Sequence, residues 1–189
     1  KPTTLSVDDP AVSKVLATAL CRPSATALTV TDTEQTLSFD YTDASGLEVQ
    51  KQFSFHPQSP YVFHLSATVR RGAETLVPTV QWGPALGTAL EVNSLGYNAP
   101  PQPIYYRDGD VERIGSDDVA EIANQQGTYG FAGVDDHYFL SAVVNPKEQI
   151  ALTYRVLPMP ARVPGEDPPP PYIAWSVKFP SSPSGAQFF

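Results

Sequence analysis

The chain predicts an all-β fold, a twisted antiparallel sandwich of two sheets with short helices at its edges. Three observations carry this. Apolar residues recur with period two: Leu37, Phe39, Tyr41, then Leu47, Val49, Phe53, Phe55, then Tyr61, Phe63, Leu65, Ala67, Val69. That spacing puts them on one face of a strand, with polar neighbours on the other. Turn residues separate the runs, Asp43-Ala-Ser-Gly46 and Asp108-Gly109 among them. The second is a tight-hairpin signal because Asp and Gly both tolerate positive φ. The 20 prolines argue against a helical bundle and for strands joined by loops.

The elements follow in order. Asp9-Pro10 precedes Val12, Val15, Leu16, Ala19 and Leu20 at helical spacing. An Asp cap with Pro at the first helical position makes this a short helix that Pro23 ends. Leu28 and Val30 alternate with Thr29 and Thr31 as a short strand stopped at Asp32. The hairpin Leu37–Phe55 comes next, with Lys51 the exception to its apolar face, and then the strand from Tyr61. Leu76–Gln81 reads as a strand broken by Pro78, at an edge or a bulge. Gly83-Pro84 and Gly87 force a loop. Ile104–Ile114 forms a hairpin around Asp108-Gly109. Ser116–Ala123 supplies one helical turn or two with Ser116 as cap. Tyr138–Val144, Ile150–Leu157 and Tyr172–Phe179 are the last strands. Pro158–Pro171 between the final two is an extended, polyproline-like loop. No linker or repeat divides the chain, so residues 1–189 are expected to form one domain.

Composition narrows the function classes. Hydrophobic residues make up 41% and charged ones 17% of the 189 residues, a globular balance with enough chain for a substantial core. The formal net charge of -8 argues against nucleic acid and anionic lipid as ligands. The only basic doublet, Arg70-Arg71, reads as an exposed loop end. Cys21 is the only cysteine, so an internal disulfide and a Cys-rich metal site are excluded, and the thiol is expected to be buried. No apolar run reaches the roughly 18 residues that span a bilayer.

The stretch Gly127–Pro146 is the most distinctive. Three glycines surround two aromatics, the Asp135-Asp136 pair suits an acidic turn, and an apolar run from Tyr138 to Val144 ends at Pro146. With Phe131, Asp136, Tyr138 and Phe139, this pattern resembles the periplasmic domain of the bacterial membrane protein insertase YidC. Phe131 stands where many members carry Trp, and His137 where Arg or Lys is common. Three further pieces keep the family's order: Leu37–Phe55 with Tyr61–Leu65, Gln81-Trp-Gly-Pro-Ala-Leu-Gly87, and Tyr172–Phe189. The resemblance covers Thr29 to Phe189. It implies a supersandwich similar to that of galactose mutarotases. It also implies a parent protein with a transmembrane segment before Lys1, strands of the domain that precede Lys1, and a membrane-embedded insertase part after Phe189. The location implied is the periplasmic face of the bacterial inner membrane. Phe131, Tyr138 and Phe139 are expected to be buried and structural.

A sugar-isomerising sandwich needs a histidine and a carboxylate poised around a ring. The histidines are His56, in a turn before Pro57, His64, on the wetter face of its strand, and His137. Asp135-Asp136-His137 is the most catalytic-looking cluster, but adjacent strand residues face opposite ways, and the triplet reads as a solvated turn. No Gly-x-Ser-x-Gly string, phosphate loop or dinucleotide fingerprint occurs. Asp8-Asp9 and Asp117-Asp118 lack the spacing of a calcium loop and suit helix starts. No catalytic residue, cofactor or metal is expected.

Trp82, Tyr97, Tyr105, Tyr106 and Trp175 are less readily placed on the alternating faces. They read first as rings that close the sandwich ends, and second as candidates for a cleft or partner contact. The resemblance implies a non-enzymatic domain. Its expected partners are Sec translocon accessory subunits such as SecF and nascent membrane proteins. Direct lipid binding is not expected: the helix Ala11–Leu20 carries only Lys14, and an acidic surface is repelled by anionic headgroups. The rival is a stand-alone carbohydrate-binding or sugar-isomerising β-sandwich.

Overall fold

The structure is a computed structural model that describes residues 3–83, 100–136, 139–161, 168 and 171–189. The first elements are β1 (Thr4–Ser6), helix α1 (Pro10–Thr18), β2 (Arg22–Pro23), β3 (Gln35–Thr42), β4 (Leu47–Phe55) and β5 (Phe63–Arg71). Next come β6 (Glu74–Leu76), β7 (Thr79–Trp82), β8 (Gln102–Arg107), β9 (Asp110–Arg113) and a 3-10 helix (Ser116–Ile122). The last are β10 (Asn124–Gly127), β11 (Phe131–Asp135), β12 (Leu140–Val144), β13 (Ile150–Leu157), β14 (Tyr172–Lys178) and β15 (Ala186–Phe188).

Two sheets result, with every strand pair antiparallel. The smaller has the order β1-β7-β14-β13-β10. The larger runs β2-β3-β4-β5-β15-β12-β11-β8-β9, with β6 beside β5. This is the two-sheet antiparallel sandwich that the period-two pattern predicts. The inward faces supply one core: Val80, Leu152, Ile173 and Val177 from the small sheet, and Leu65, Val69, Val134 and Phe188 from the large one. On β14 burial alternates strictly, with Ile173, Trp175 and Val177 inward.

Helix α1 forms as its sequence requires. The Asp9 side chain accepts from the Ala11 and Val12 amides at 2.8 and 3.2 Å, and Pro10 occupies the first turn. Val12 and Leu16 enter the core. The Arg71 guanidinium donates to the free Asp9 oxygen at 2.7 Å and to Glu74 at 3.1 Å, so the exposed end of β5 anchors the helix start. That contact, then the two amides, hold the Asp9 carboxyl below its ordinary pKa.

The structure departs from the sequence reading at several points. Leu28 and Val30 join no strand, and Val30 is exposed. β2 occupies the edge of β3 instead, pairing Arg22 with Asp40 and Pro23 with Phe39. Pro78 marks neither a simple edge nor a bulge: β6 lies in the large sheet and β7 in the small one, so the chain changes sheets there. Ser116 is not a cap. Gly115 takes that position and makes no side-chain bond, and the helix is 3-10. Cys21 is half-buried rather than buried. Phe139 is 58% exposed, because Asp136 and Phe139 close a turn with bonds of 2.9 and 2.7 Å that leaves the ring outside the strand. Phe131 is half-buried. Tyr97, His137, Tyr138, the loop at Pro84 and Gly87, and most of the proline-rich loop lie outside the described residues.

Gly133 is required by its neighbours. It pairs with Ala142, and a Cβ built there would overlap the Ser141 carbonyl and come within 2.6 Å of the Ala142 Cα. The glycine lets β11 and β12 approach at the centre of the large sheet.

Candidate functional site

The candidate aromatics separate into three environments. Trp82 and Trp175 stack at 6.2 Å between the sheets, where β7 and β14 place them opposite each other. Phe63 and Phe188 extend the stack, at 5.8 and 6.1 Å from Trp82. Trp175 is 3% exposed and Phe188 fully buried. These rings close the sandwich interior. A shallow hollow of about 310 Å³ beside them is lined by Thr4, Gln81, Thr153, Arg155 and Ser176 and holds no acid-base pair.

Tyr105 belongs to a second, polar group. Its ring meets Tyr129 edge-on at 5.7 Å, and its hydroxyl donates to Glu112 at 2.9 Å. The Arg107 guanidinium lies 5.5 Å from the Tyr105 ring centre and 5.9 Å from that of Tyr129. Burial, then Glu112, push the Tyr105 phenol above its ordinary pKa. Burial pushes Tyr154 up further, and its hydroxyl has no hydrogen-bond partner. All three tyrosines are core, and no phenol is set up to ionise.

Tyr106 differs because the next residue along β8 faces the other way. It is 38% exposed and stacks on Phe131 at 6.1 Å. The strand register lines up Val111, Tyr106, Phe131 and Val144 across β9, β8, β11 and β12. Directly opposed residues share a face, so these four form a stripe on the outer side of the large sheet. Val111, on β9 at the sheet edge, is 50% exposed.

Acidic residues border this stripe. Residues 107–121 contain six carboxylates and two arginines, a net -4, half of the chain's -8. Both arginines are engaged: Arg113 donates to Asp135 at 2.8 Å, and Arg107 lies 3.6 Å from Asp108. Asp110, Glu112, Asp117, Asp118 and Glu121 have no ion-pair partner among the described residues. The Asp108-Gly109 turn that presents them has φ of 56° and 96°, the positive values its sequence predicts. The sequence reading missed this surface. Val111 is a lone valine in a polar hairpin, and Asp108, Asp117 and Asp118 each suit a turn or a helix start taken singly. Counting charge over the hairpin and the following helix together would have exposed it.

Of the catalytic-looking triplet, Asp135 and Asp136 are described and His137 is not. Asp135 is the buried end of β11, not part of a solvated turn, and Arg113 engages its Oδ2. Asp136 closes the turn described above. His64 meets His56 edge-on at 4.9 Å, and His56 lies 3.6 Å from Glu34. His64 also lines a cleft of about 630 Å³ with Lys147, Glu148 and Ser182. Among the described residues no group of three or more His, Cys, Asp or Glu could hold a metal ion. No helix among them is long and apolar enough to cross a membrane.

The comparison with curated proteins gives no match. The family model for the YidC periplasmic domain matches residues 11–162, most of the chain, and the protein belongs to that family.

Proposed function

We propose that this domain serves a YidC-like membrane protein insertase as a non-catalytic docking module at the periplasmic face of the inner membrane. The family match over residues 11–162 is the observation that carries the reading. Its partners are accessory subunits of the Sec translocon, SecF-like in kind, and through the whole insertase the nascent membrane proteins it handles. The domain contributes surface rather than reaction chemistry. An acidic sheet edge bordering a partly exposed apolar stripe suits a protein partner that carries basic groups. The same acidity disfavours direct attachment to anionic lipid. The rival, a sugar-isomerising sandwich, finds little support where Asp135 is tied to Arg113 and the aromatics nearest a hollow are stacked in the core.

The test uses the full-length insertase with and without this domain. Removing it is expected to reduce recovery of the accessory subunit on co-purification while membrane insertion of a simple substrate continues. Unchanged recovery of the accessory subunit contradicts the docking role. Loss of all insertion with the subunit still bound contradicts the division of labour.

A further inference from the structure

We infer that the hairpin β8–β9 takes up its partner by strand addition: an extended segment pairs with the free edge of β9, alternating basic and apolar side chains. The inference rests on the docking role proposed above and specifies where and how it is performed. Three observations converge on it.

The first is the edge itself. β9 pairs with β8 on one side and with no strand on the other among the described residues. The Ile114 amide donates to the Pro103 carbonyl at 3.0 Å, which sets the parity of the ladder. In an antiparallel pair the backbone groups of alternate residues point to opposite sides. Residues 110, 112 and 114 therefore bond toward β8, and the N–H and C=O groups of Val111 and Arg113 point outward. An added strand can meet all four.

The second is the distribution of side chains about that edge. Val111 shares its face with Tyr106 and Phe131. Asp110 and Glu112 lie on the opposite face and have no cation partner. A strand laid beside β9 would put every second side chain against Val111 and the residues between them against the two carboxylates. Valine-like and lysine-like residues in strict alternation satisfy both faces. Edge strands of soluble proteins are ordinarily blunted by lysine, proline or a bulge. Residues 110–113 contain neither lysine nor proline, and the one arginine among them is held by Asp135.

The third is the wider field. Asp117, Asp118 and Glu121 extend the uncompensated negative charge beyond the hairpin, which steers a cationic segment toward the edge before pairing begins. An acidic segment would meet repulsion on the same path, so the edge discriminates by sign as well as by shape.

The test uses an eight-residue peptide alternating lysine and valine, titrated into the domain and followed by amide NMR. Binding should shift the Val111 and Arg113 amides first, and the equivalent glutamate–valine peptide should not bind. N-methylating alternate peptide amides separates pairing from charge attraction. Methyls on the side facing β9 should weaken binding at least tenfold, and methyls on the other side should leave it within twofold. Val111→Pro should lose binding likewise, and it keeps the hairpin because the Val111 N–H does not bond to β8. Asp110→Lys, a milder change, should weaken the lysine peptide several-fold. Equal affinity of the two N-methylated peptides, an unaffected Val111→Pro variant, or shifts confined to another surface would overturn strand addition. The accessory subunit's periplasmic part provides the separating control. If it binds the Val111→Pro variant as well as the parent, strand addition falls while docking stands. If the peptide adds to β9 but the subunit binds neither protein, docking falls while the edge activity stands.

Discussion

Two aromatic groups, similar in chemistry, have opposite consequences in this domain. Between the sheets, Trp82, Trp175, Phe63 and Phe188 stack in succession, with Trp175 and Phe188 buried. On the outer face, Tyr106 and Phe131 stack at a similar separation, but beside a half-exposed Val111 and carboxylates without counter-ions. A buried ring stack holds the sheets together, and its worth is read in stability. An exposed one costs little to alter, and its worth is read in what binds there. Strand parity, not residue type, separates the roles: Tyr105 and Tyr106 are neighbours in sequence and fall on opposite sides of the sheet.

The comparison breaks most visibly at its buried member. Trp175→Ala removes a side chain packed from both sheets and should cost about 3–5 kcal/mol. Equilibrium denaturation reads this directly, and a loss below about 1 kcal/mol would move the stack out of the core. Gly133→Ala forces β11 and β12 apart behind the outer stripe. Its expected cost is about 1–3 kcal/mol, in the range for overpacking. An unchanged denaturation midpoint would show that the two strands can separate freely.

The same contrast explains what was legible in the sequence. Strands with three or more apolar residues at period two, β3 to β5 and β13 to β14, are readable because one face is less exposed than the other. β15 is central in the large sheet, yet its three residues are too few to show a period. β10, Asn124–Gly127, is a polar edge strand with no apolar signal. The candidate site was legible only in part. Its aromatics stand out, but whether Tyr105 or Tyr106 faces water depends on ladder parity. That Arg113 is spent on Asp135, 22 positions away, depends on the tertiary fold.

Phe139 sharpens the comparison from the other side. It reads as part of a buried strand but lies 58% exposed, so Phe139→Ala should cost less than about 1 kcal/mol. A loss near that of Trp175→Ala would place its ring in the core after all. The smallest expected effect is acid sensitivity at the helix start. Asp9 has a folded-state pKa below its unfolded one, chiefly through Arg71 and then the helix amides. Its contribution is therefore present above the ordinary carboxylate pKa of about 3.9 and is lost as pH falls through the lower folded value. Asp9→Asn keeps a capping oxygen and removes the titration. Its melting temperature should fall less steeply below about pH 4 than that of the parent, and identical slopes would count against the Arg71–Asp9 anchor.

The central claim is that the domain meets its partner through the acidic hairpin face rather than through the aromatic interior. Charge reversal in the full-length insertase addresses it most directly, with Asp110, Asp117 and Asp118 changed together to lysine and recovery of the Sec accessory subunit measured by co-purification. All three carboxylates are exposed and unpaired among the described residues, so the fold should hold, which circular dichroism of the isolated domain checks. The account predicts that recovery of the subunit drops several-fold while the domain's melting temperature stays within a few degrees. Full recovery with the reversed charges in a folded domain would contradict it.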